Sequence, residues 1–317
     1  EADLLEPPAG GDGMAIVWHG LNRGRTTLAA QAAGTLRILL AQAADHARRR
    51  ETWGRPIAAR QLVQGRLGRI AAASQACDAI STWAAAAIDA GGGGEWEAIT
   101  AKVVASNCIR EAAIDALGVH GGRAFLVGHP LGDSFHDHLA VGVYEGESDL
   151  LGLALFRGIA KGHPLAGISR EATAVTRAGA WLSWRVAAGR RSSHPEDGRL
   201  LDRRLREHAR QARRQLAVEA LAIDRAIRQH GRSVGDRQLE VGDLSTRIRE
   251  LVSVLAVAHH ADWVATDRAA RAADVWCRLA LARAAGRRPS AADLAAVAAL
   301  GAEASYQRAY SNGDTTT

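Results

Sequence analysis

Val143-Tyr144-Glu145-Gly146-Glu147-Ser148 sets a carboxylate between an aromatic residue and a glycine, directly ahead of the run Asp149-Leu150-Leu151-Gly152-Leu153-Ala154-Leu155-Phe156. Taken alone it reads as a helix start with an acidic first turn. Its company gives it more weight. Upstream stand Arg50-Glu51-Thr52-Trp53-Gly54-Arg55-Pro56-Ile57, then Gln61-Leu62-Val63-Gln64, then Gly118-Val119-His120-Gly121-Gly122.

Around these segments the chain reads as helical throughout. Its 317 residues are 47% apolar, mostly Ala, Leu and Val, a composition that suits close-packed helices and excludes disorder over the whole length. Met14 to His46 reads as one long helix, with Ile16, Leu21, Leu28, Leu36, Leu39 and Leu40 as its apolar stripe. Gly54 and Pro56 break the pattern. Further helices are expected over Ala58 to Ala90, Trp96 to Leu117, Pro130 to His138, and from Glu145 to Lys161. The run Gly91-Gly92-Gly93-Gly94 reads as a flexible link, without the strand-then-helix context of a phosphate loop. Beyond residues 166–195, where the character changes, helices are expected over 198–230, 237–267, 268–285 and 291–310. No strand is evident by period.

Charge and cysteine content bound the function only loosely. The formal net charge is +6, carried almost wholly by Arg, with Lys102 and Lys161 the two lysines. Such a surplus suits phosphate-bearing small ligands, and equally nucleic acid or anionic lipid. Cys77, Cys108 and Cys277 are far apart and odd in number, with no disulfide framework or zinc spacing, which implies a reducing, cytoplasmic setting. No signal peptide or bilayer-length apolar run is evident.

In their order, the quoted segments resemble the C-terminal half of an acyl-CoA dehydrogenase over roughly residues 1–165. The part from 196 to 285 is similar to the extra C-terminal domain of very-long-chain acyl-CoA dehydrogenases. There Arg228-Gln229-His230-Gly231-Arg232-Ser233-Val234, Gln238-Leu239 and Asp274-Val275-Trp276-Cys277 carry the match. The resemblance implies an all-α fold, a C-terminal four-helix bundle over 14–165 followed by a second helical domain over 196–317. Residues 1–13 would be the end of a preceding β domain, so that the chain is expected to be a C-terminal portion or one subunit of such an enzyme.

The same resemblance implies FAD-dependent conversion of a long-chain acyl-CoA to its trans-2-enoyl-CoA. Electrons would leave through an electron-transfer flavoprotein, and the assembly would be a homodimer or a complex with a complementing subunit. Glu145 matches the base that removes the α-proton. That proton is too weakly acidic for a free carboxylate, so the thioester carbonyl must be polarised and the base desolvated. Arg50 matches an arginine on the FAD pyrophosphate across the subunit interface, where a guanidinium fork pairs with phosphate oxygens. Thr52, Trp53 and Gln61 match further flavin contacts, and Gly121 and Gly122 match glycines approached by the adenosine end. Arg25, Asn22 and Tyr144 fall at positions near the substrate.

Three departures stand out. Gly118 replaces a usual Gln, Ala124 replaces a third glycine, and Glu147 stands where a Thr or Ser normally contacts the flavin. Ser148 is the candidate to take that place. A carboxylate at Glu147 beside Glu145 would raise a pKa or repel the cofactor. These departures support an alternative reading, a non-catalytic assembly or regulatory subunit on the same fold. A nucleic-acid-binding role explains the charge and none of the motifs.

Three further groups are candidates. His136-Asp137-His138 and His259-His260-Asp262 are metal-ligand types in one turn each, and read as packing or surface, so no metal is expected. In residues 168–191, Trp181 and Trp184 with Arg177, Arg185, Arg190 and Arg191 have either the chemistry of a peripheral membrane contact or that of a linker packed on the domain. The arginines between Arg203 and Arg214 read as a solvated helix face.

Overall fold

The computed structural model describes residues 13–91, 93–164, 174–190 and 194–306. The chain opens with α1 (Gly13–Arg49), a short hairpin of β1 (Glu51–Thr52) and β2 (Arg55–Pro56), then α2 (Gln61–Asp89) and α3 (Glu95–His120). Two short helices, α4 (Pro130–Asp133) and α5 (Phe135–Ala140), lead to α6 (Ser148–Lys161). The second half holds α7 (Ala174–Arg190), α8 (Arg203–His230), α9 (Gln238–Val264), α10 (Asp267–Ala284) and α11 (Ala291–Tyr306).

Helices α1, α2, α3 and α6 make the expected bundle. α1 and α3 run parallel, because Asn22 reaches Gly93 at one end and His46 lies on His120 at the other. The α1 stripe is set by Ala29, Ala32, Ala33, Leu36, Leu40, Ala43 and Ala47, all buried and spaced at three or four residues. α6 runs back along the first part of α3, where Leu151 and Leu155 meet Ile99 and Val103.

α2 lies at the centre. It packs against α1, α3, α9, α10 and α11, and buries Leu67, Ile70, Ala76, Cys77, Ile80 and Ala84. A helix buried on most sides needs small residues where neighbours cross. The tightest crossing joins α2 to α11. A Cβ on Gly301 would stand 1.7 Å from the Gln64 carbonyl oxygen, and one on Gly68 2.0 Å from that of Val297. One apolar cluster therefore runs from Leu36 in α1 through Leu67 to Leu251 in α9, Trp276 in α10 and Leu300 in α11. The core crosses the boundary drawn between 14–165 and 196–317.

Four local expectations are revised. The Arg50–Pro56 break contains a hairpin, Thr52 pairing with Arg55 around Trp53 and Gly54. Both central residues have positive φ, 47° and 73°, as a type I′ turn requires. The helix expected over 130–138 is two, divided at Ser134. The glycine run is anchored, since Gly93 accepts a bond from Asn22 and Gly94 caps α3 in the left-handed conformation. The arginines of α8 are partly structural: Arg206 donates to the Leu200 carbonyl, and Arg213 pairs with buried Asp197.

The two tryptophans of α7 face protein. Trp181 donates to buried Asp224 at 2.7 Å, with Arg185 and Arg228 over its ring, and Trp184 lies edge-on to His163. Val175 and Leu182 are the exposed apolar side chains of that helix among the described residues. Residues 168–173 and 191 of the expected membrane segment lie outside the described residues, as do 1–12, 92, 165–167, 192–193 and 307–317. No helix among the described residues is long and apolar enough to cross a membrane.

Gly301→Ala is expected to lower stability by about 1–3 kcal/mol, because the added methyl meets rigid backbone. Gly34→Ala, in open space within α1, should be neutral or stabilising by up to about 1 kcal/mol. Urea unfolding of both variants checks the contrast.

Candidate active site

Residues 141–147 join α5 to α6 as a tight loop, closed by the Ser148 N–H donating to the Gly142 carbonyl at 3.1 Å. Glu145 and Gly146 both have positive φ, 56° and 106°. For a glutamate this conformation costs on the order of 1–3 kcal/mol and marks a position held by its surroundings. The carboxylate of half-buried Glu145 lies across Gly24 of α1, where a Cβ would come within 2.8 Å of Oε1. Gly24 is thus a notch that admits the carboxylate.

Two buried cations hold the loop. Arg25, 5% exposed, donates through Nε to the Glu145 carbonyl at 3.1 Å. Lys102, 0% exposed, donates from Nζ to Gly142 O at 2.9 Å and Gly146 O at 2.5 Å, and approaches Ser148 Oγ at 3.4 Å. Burial lowers the Arg25 pKa, with Glu145 and Glu95 opposing. Burial also pushes Lys102 down to about 8.

Several expected site residues take other tasks. Both polar ends of the Asn22 side chain are engaged inside the protein, Nδ2 on Gly93 O at 3.1 Å and Oδ1 on Arg25 at 3.2 Å. Asn22 therefore orients Arg25 and the glycine run instead of facing solvent. The Ser148 hydroxyl turns inward and donates to Gly142 O at 3.2 Å. Glu147 is the N-cap of α6, its Oε2 accepting from Asp149 N at 2.9 Å and Leu150 N at 3.0 Å. Partial burial favours its neutral form, but these N–H donors and Lys102 prevail and hold its pKa below the ordinary carboxylate value. The feared repulsion with Glu145 is replaced by a cap. Tyr144 remains half exposed on the outer side of the loop.

The remaining expected residues gather at the opposite end of the bundle. α1 carries the chain on the order of 35 Å from Arg25 to Arg50. Arg48 and Arg49 pair with Asp45, whereas the exposed Arg50 guanidinium has no ion-pair partner among the described residues. Trp53 is 91% exposed in its left-handed turn, with Arg60 over the ring at 5.3 Å. Gln61 is exposed at the start of α2. Gly121 ends α3 at φ 61° and ψ −146°, a backbone open to glycine alone, and no atom lies within 4 Å of a Cβ built on Gly122.

Here too the departures have physical partners. The Arg66 guanidinium lies over Gly118, at 2.0 Å from an added Cβ, and fills the room a glutamine would take. Buried Ala124 sets its carbonyl against Gly132. His46, His120 and His129 form a ring cluster with centroid separations of 4.7 and 4.9 Å. Among the described residues, buried polar atoms without a partner are Arg60 Nε, His120 Nδ1, His129 Nδ1 and Arg249 Nη1, so three of the four sit at this end.

Sequence reasoning passed over Lys102 and Gly24. The available signal was a lone lysine inside the apolar stretch Ala101-Lys102-Val103-Val104-Ala105. Of the metal-type groups, His259, His260 and Asp262 go separately to Asp197, Gln75 and the Leu201 N–H. Neither they nor any other described residues form a group that could hold an ion.

Burial, with His46 and His129 adding to it, pushes His120 down to about 4 from its ordinary 6.5. Between those values the unfolded chain binds more protons than the folded one. Stability present above pH 6.5 is therefore lost as the pH falls toward 4. In urea titrations the midpoint should fall less steeply over this window for His120→Gln than for the parent protein.

Residues 11–160 match the family described as "Acyl-CoA dehydrogenase, C-terminal domain". An acyl-CoA dehydrogenase of Bacillus subtilis is 35% identical over 150 residues, 47% of this chain and 39% of that protein. The mitochondrial very long-chain specific acyl-CoA dehydrogenase of Homo sapiens is 29% identical over 161 residues, 50% of this chain and 25% of that protein. The chain thus spans less than half the length of these relatives. A solved acyl-CoA dehydrogenase from Bacillus anthracis, complexed with FAD, shares the fold with a TM-score of 0.73 at 14% identity, over 92% of this chain and 56% of that one. The likeness of fold extends through the second helical half. Over residues 11–160, which carry the Glu145 loop, the hairpin and the Gly121-Gly122 turn on one bundle, the chain is similar to the C-terminal domain of the acyl-CoA dehydrogenases.

Proposed function

We propose that the chain supplies the catalytic base and part of the cofactor cradle for FAD-dependent α,β-dehydrogenation of an acyl-CoA. The observation that carries this reading is the Glu145 carboxylate, held in a left-handed turn over the Gly24 notch by bonds to its own carbonyl and to that of Gly146. Glu145 takes the α-proton, while its fixed backbone leaves the carboxylate little motion to lose in the transition state. Bound FAD supplies the acceptor for the β-hydride.

The hairpin end fits a flavin nucleotide. Arg50 offers pyrophosphate a guanidinium that has no ion pair among the described residues, and Gly121 and Gly122 leave room for a close approach. This end lies too far from Glu145 along α1 for both to hold one flavin. Each flavin is then shared, Glu145 of one chain facing the reacting end and Arg50 of another holding the phosphates. Exposed Trp53, Leu62, Phe125, Leu126 and Val127, at the same end of the bundle as Arg50, support a partner there, in a homodimer or with a complementing subunit. Contacts beyond these residues complete the acyl pocket.

A long acyl chain follows the similarity to a very long-chain specific relative, and an electron-transfer flavoprotein is the acceptor we propose with it. The buried free thiols Cys77, Cys108 and Cys277 support a reducing, cytoplasmic setting. Among the described side chains of 168–191, a membrane contact would fall to Val175 and Leu182, since Trp181 and Trp184 face protein. The non-catalytic reading loses its main support once Glu147 is a helix cap.

In the full natural protein with flavin bound, Glu145→Gln should keep the flavin spectrum and lose bleaching by acyl-CoA by at least about 1,000-fold. This is the order expected for a base that also carries the orientation of the reaction. Bleaching at the parent rate would refute the assignment. Gly24→Ala, which pushes against Oε1, should slow bleaching by about 10-fold with flavin content unchanged. Stopped-flow absorbance measures both.

A further inference from the structure

Lys102 is the one fully buried lysine of the described chain, and its ammonium serves the loop before α6 alone. A buried ammonium is strongly desolvated and persists only where acceptors replace water. Here those acceptors are two main-chain carbonyls, Gly142 O and Gly146 O, with Ser148 Oγ as a third neighbour. The two carbonyls belong to residues on either side of Glu145. Drawing both inward folds residues 142–146 outward as a bracket and turns Glu145 and Gly146 into positive φ. Arg25 then takes the carbonyl between them, that of Glu145, from the other side.

We propose that Lys102 is the positioning residue for Glu145, fixing through Gly142 O and Gly146 O the turn that sets the carboxylate over Gly24. The inference rests on Glu145 being the base and adds a residue that touches neither substrate nor flavin. Neighbouring charges favour it. Glu147 and Glu145 support the ammonium, opposing the burial and the Arg25 charge that lower its pKa. Ser106 reinforces the same turn from the next helical level, its single hydroxyl proton within reach of Val141 O at 3.1 Å and of Lys102 O at 2.7 Å. α3 therefore grips both ends of the loop, and Lys102 supplies its only charged contact from that helix among the described residues.

The test uses the full natural protein with flavin bound and an acyl-CoA deuterated at the α-carbon. Lys102→Met retains the length and removes the ammonium. With Glu145 released from its turn, the rate of flavin bleaching per bound flavin should fall by about 100-fold, the scale set by a misplacement of about 1 Å. KM should stay within a few-fold, and the α-deuterium isotope effect should rise as proton removal becomes limiting. Lys102→Gln, with two N–H donors and no charge, should fall between Met and the parent. A rate per bound flavin equal to the parent's in either folded variant overturns the proposal. So does a loss confined to KM or to flavin content, and so does failure of both variants to fold, which makes Lys102 a folding residue only. Glu145→Gln run in parallel separates the two claims. If it bleaches at the parent rate, the base assignment fails. If it is inactive while Lys102→Met is fully active, the role of Lys102 alone fails.

Discussion

The arrangement depends on how closely other helices approach α2. Its neighbours α1, α3, α9, α10 and α11 surround it, and Gly68 and Gly301 bring the backbones of α2 and α11 into direct contact. Alanine and glycine dominate these seams because larger side chains would part the helices and open voids. The result is a set of long, straight supports whose ends are fixed relative to one another. Chemistry-bearing residues sit at those ends: Asn22, Gly24 and Arg25 towards one end of α1, Arg50 just beyond the other, and Gly121 at the end of α3. The interior of the bundle is structural, and its two ends carry the proposed function.

Buried carboxylates fasten elements of the second half to one another and, through His163, to the end of α6. Asp197 takes Arg213 and His259, Asp224 takes Trp181, His163 and Arg228, and Asp274 takes His208 and Arg278. In each case burial favours the neutral acid, yet donors from side chains outweigh it and hold the pKa low. Removing one donor would leave a charge buried without compensation, so these clusters fix which helices meet. They also explain why so many histidines and arginines of this chain are structural rather than ligands.

The sequence showed the helices well because their apolar positions recur at helical spacing over long stretches, as in Leu36, Leu39 and Leu40. It also marked Glu145, Arg50 and the Gly121-Gly122 turn, since short segments with unusual residues stand out from Ala-rich helices. The hairpin was hidden because two-residue strands have no period to read, and Trp53-Gly54 is not a common type I′ pair. Asn22, Ser148 and Glu147 could not be placed from sequence, as each task depends on a partner brought close by the fold: Gly93, Gly142 O and the α6 N–H groups. Lys102 looked like one charge among many, and only its complete burial sets it apart. The hydrogen bonds thus give Asn22, Ser148 and Glu147 supporting tasks inside the protein.

The central claim is that Glu145 and a bound flavin act together on an acyl-CoA thioester. The most direct measurement is the visible spectrum of the natural protein, purified with its own subunits, before and after anaerobic addition of a long-chain acyl-CoA. The account predicts a flavin band that bleaches within the time of mixing and an enoyl-CoA product in equal amount. A protein that takes up no FAD, or whose flavin band is unchanged by acyl-CoA of any chain length, would contradict it.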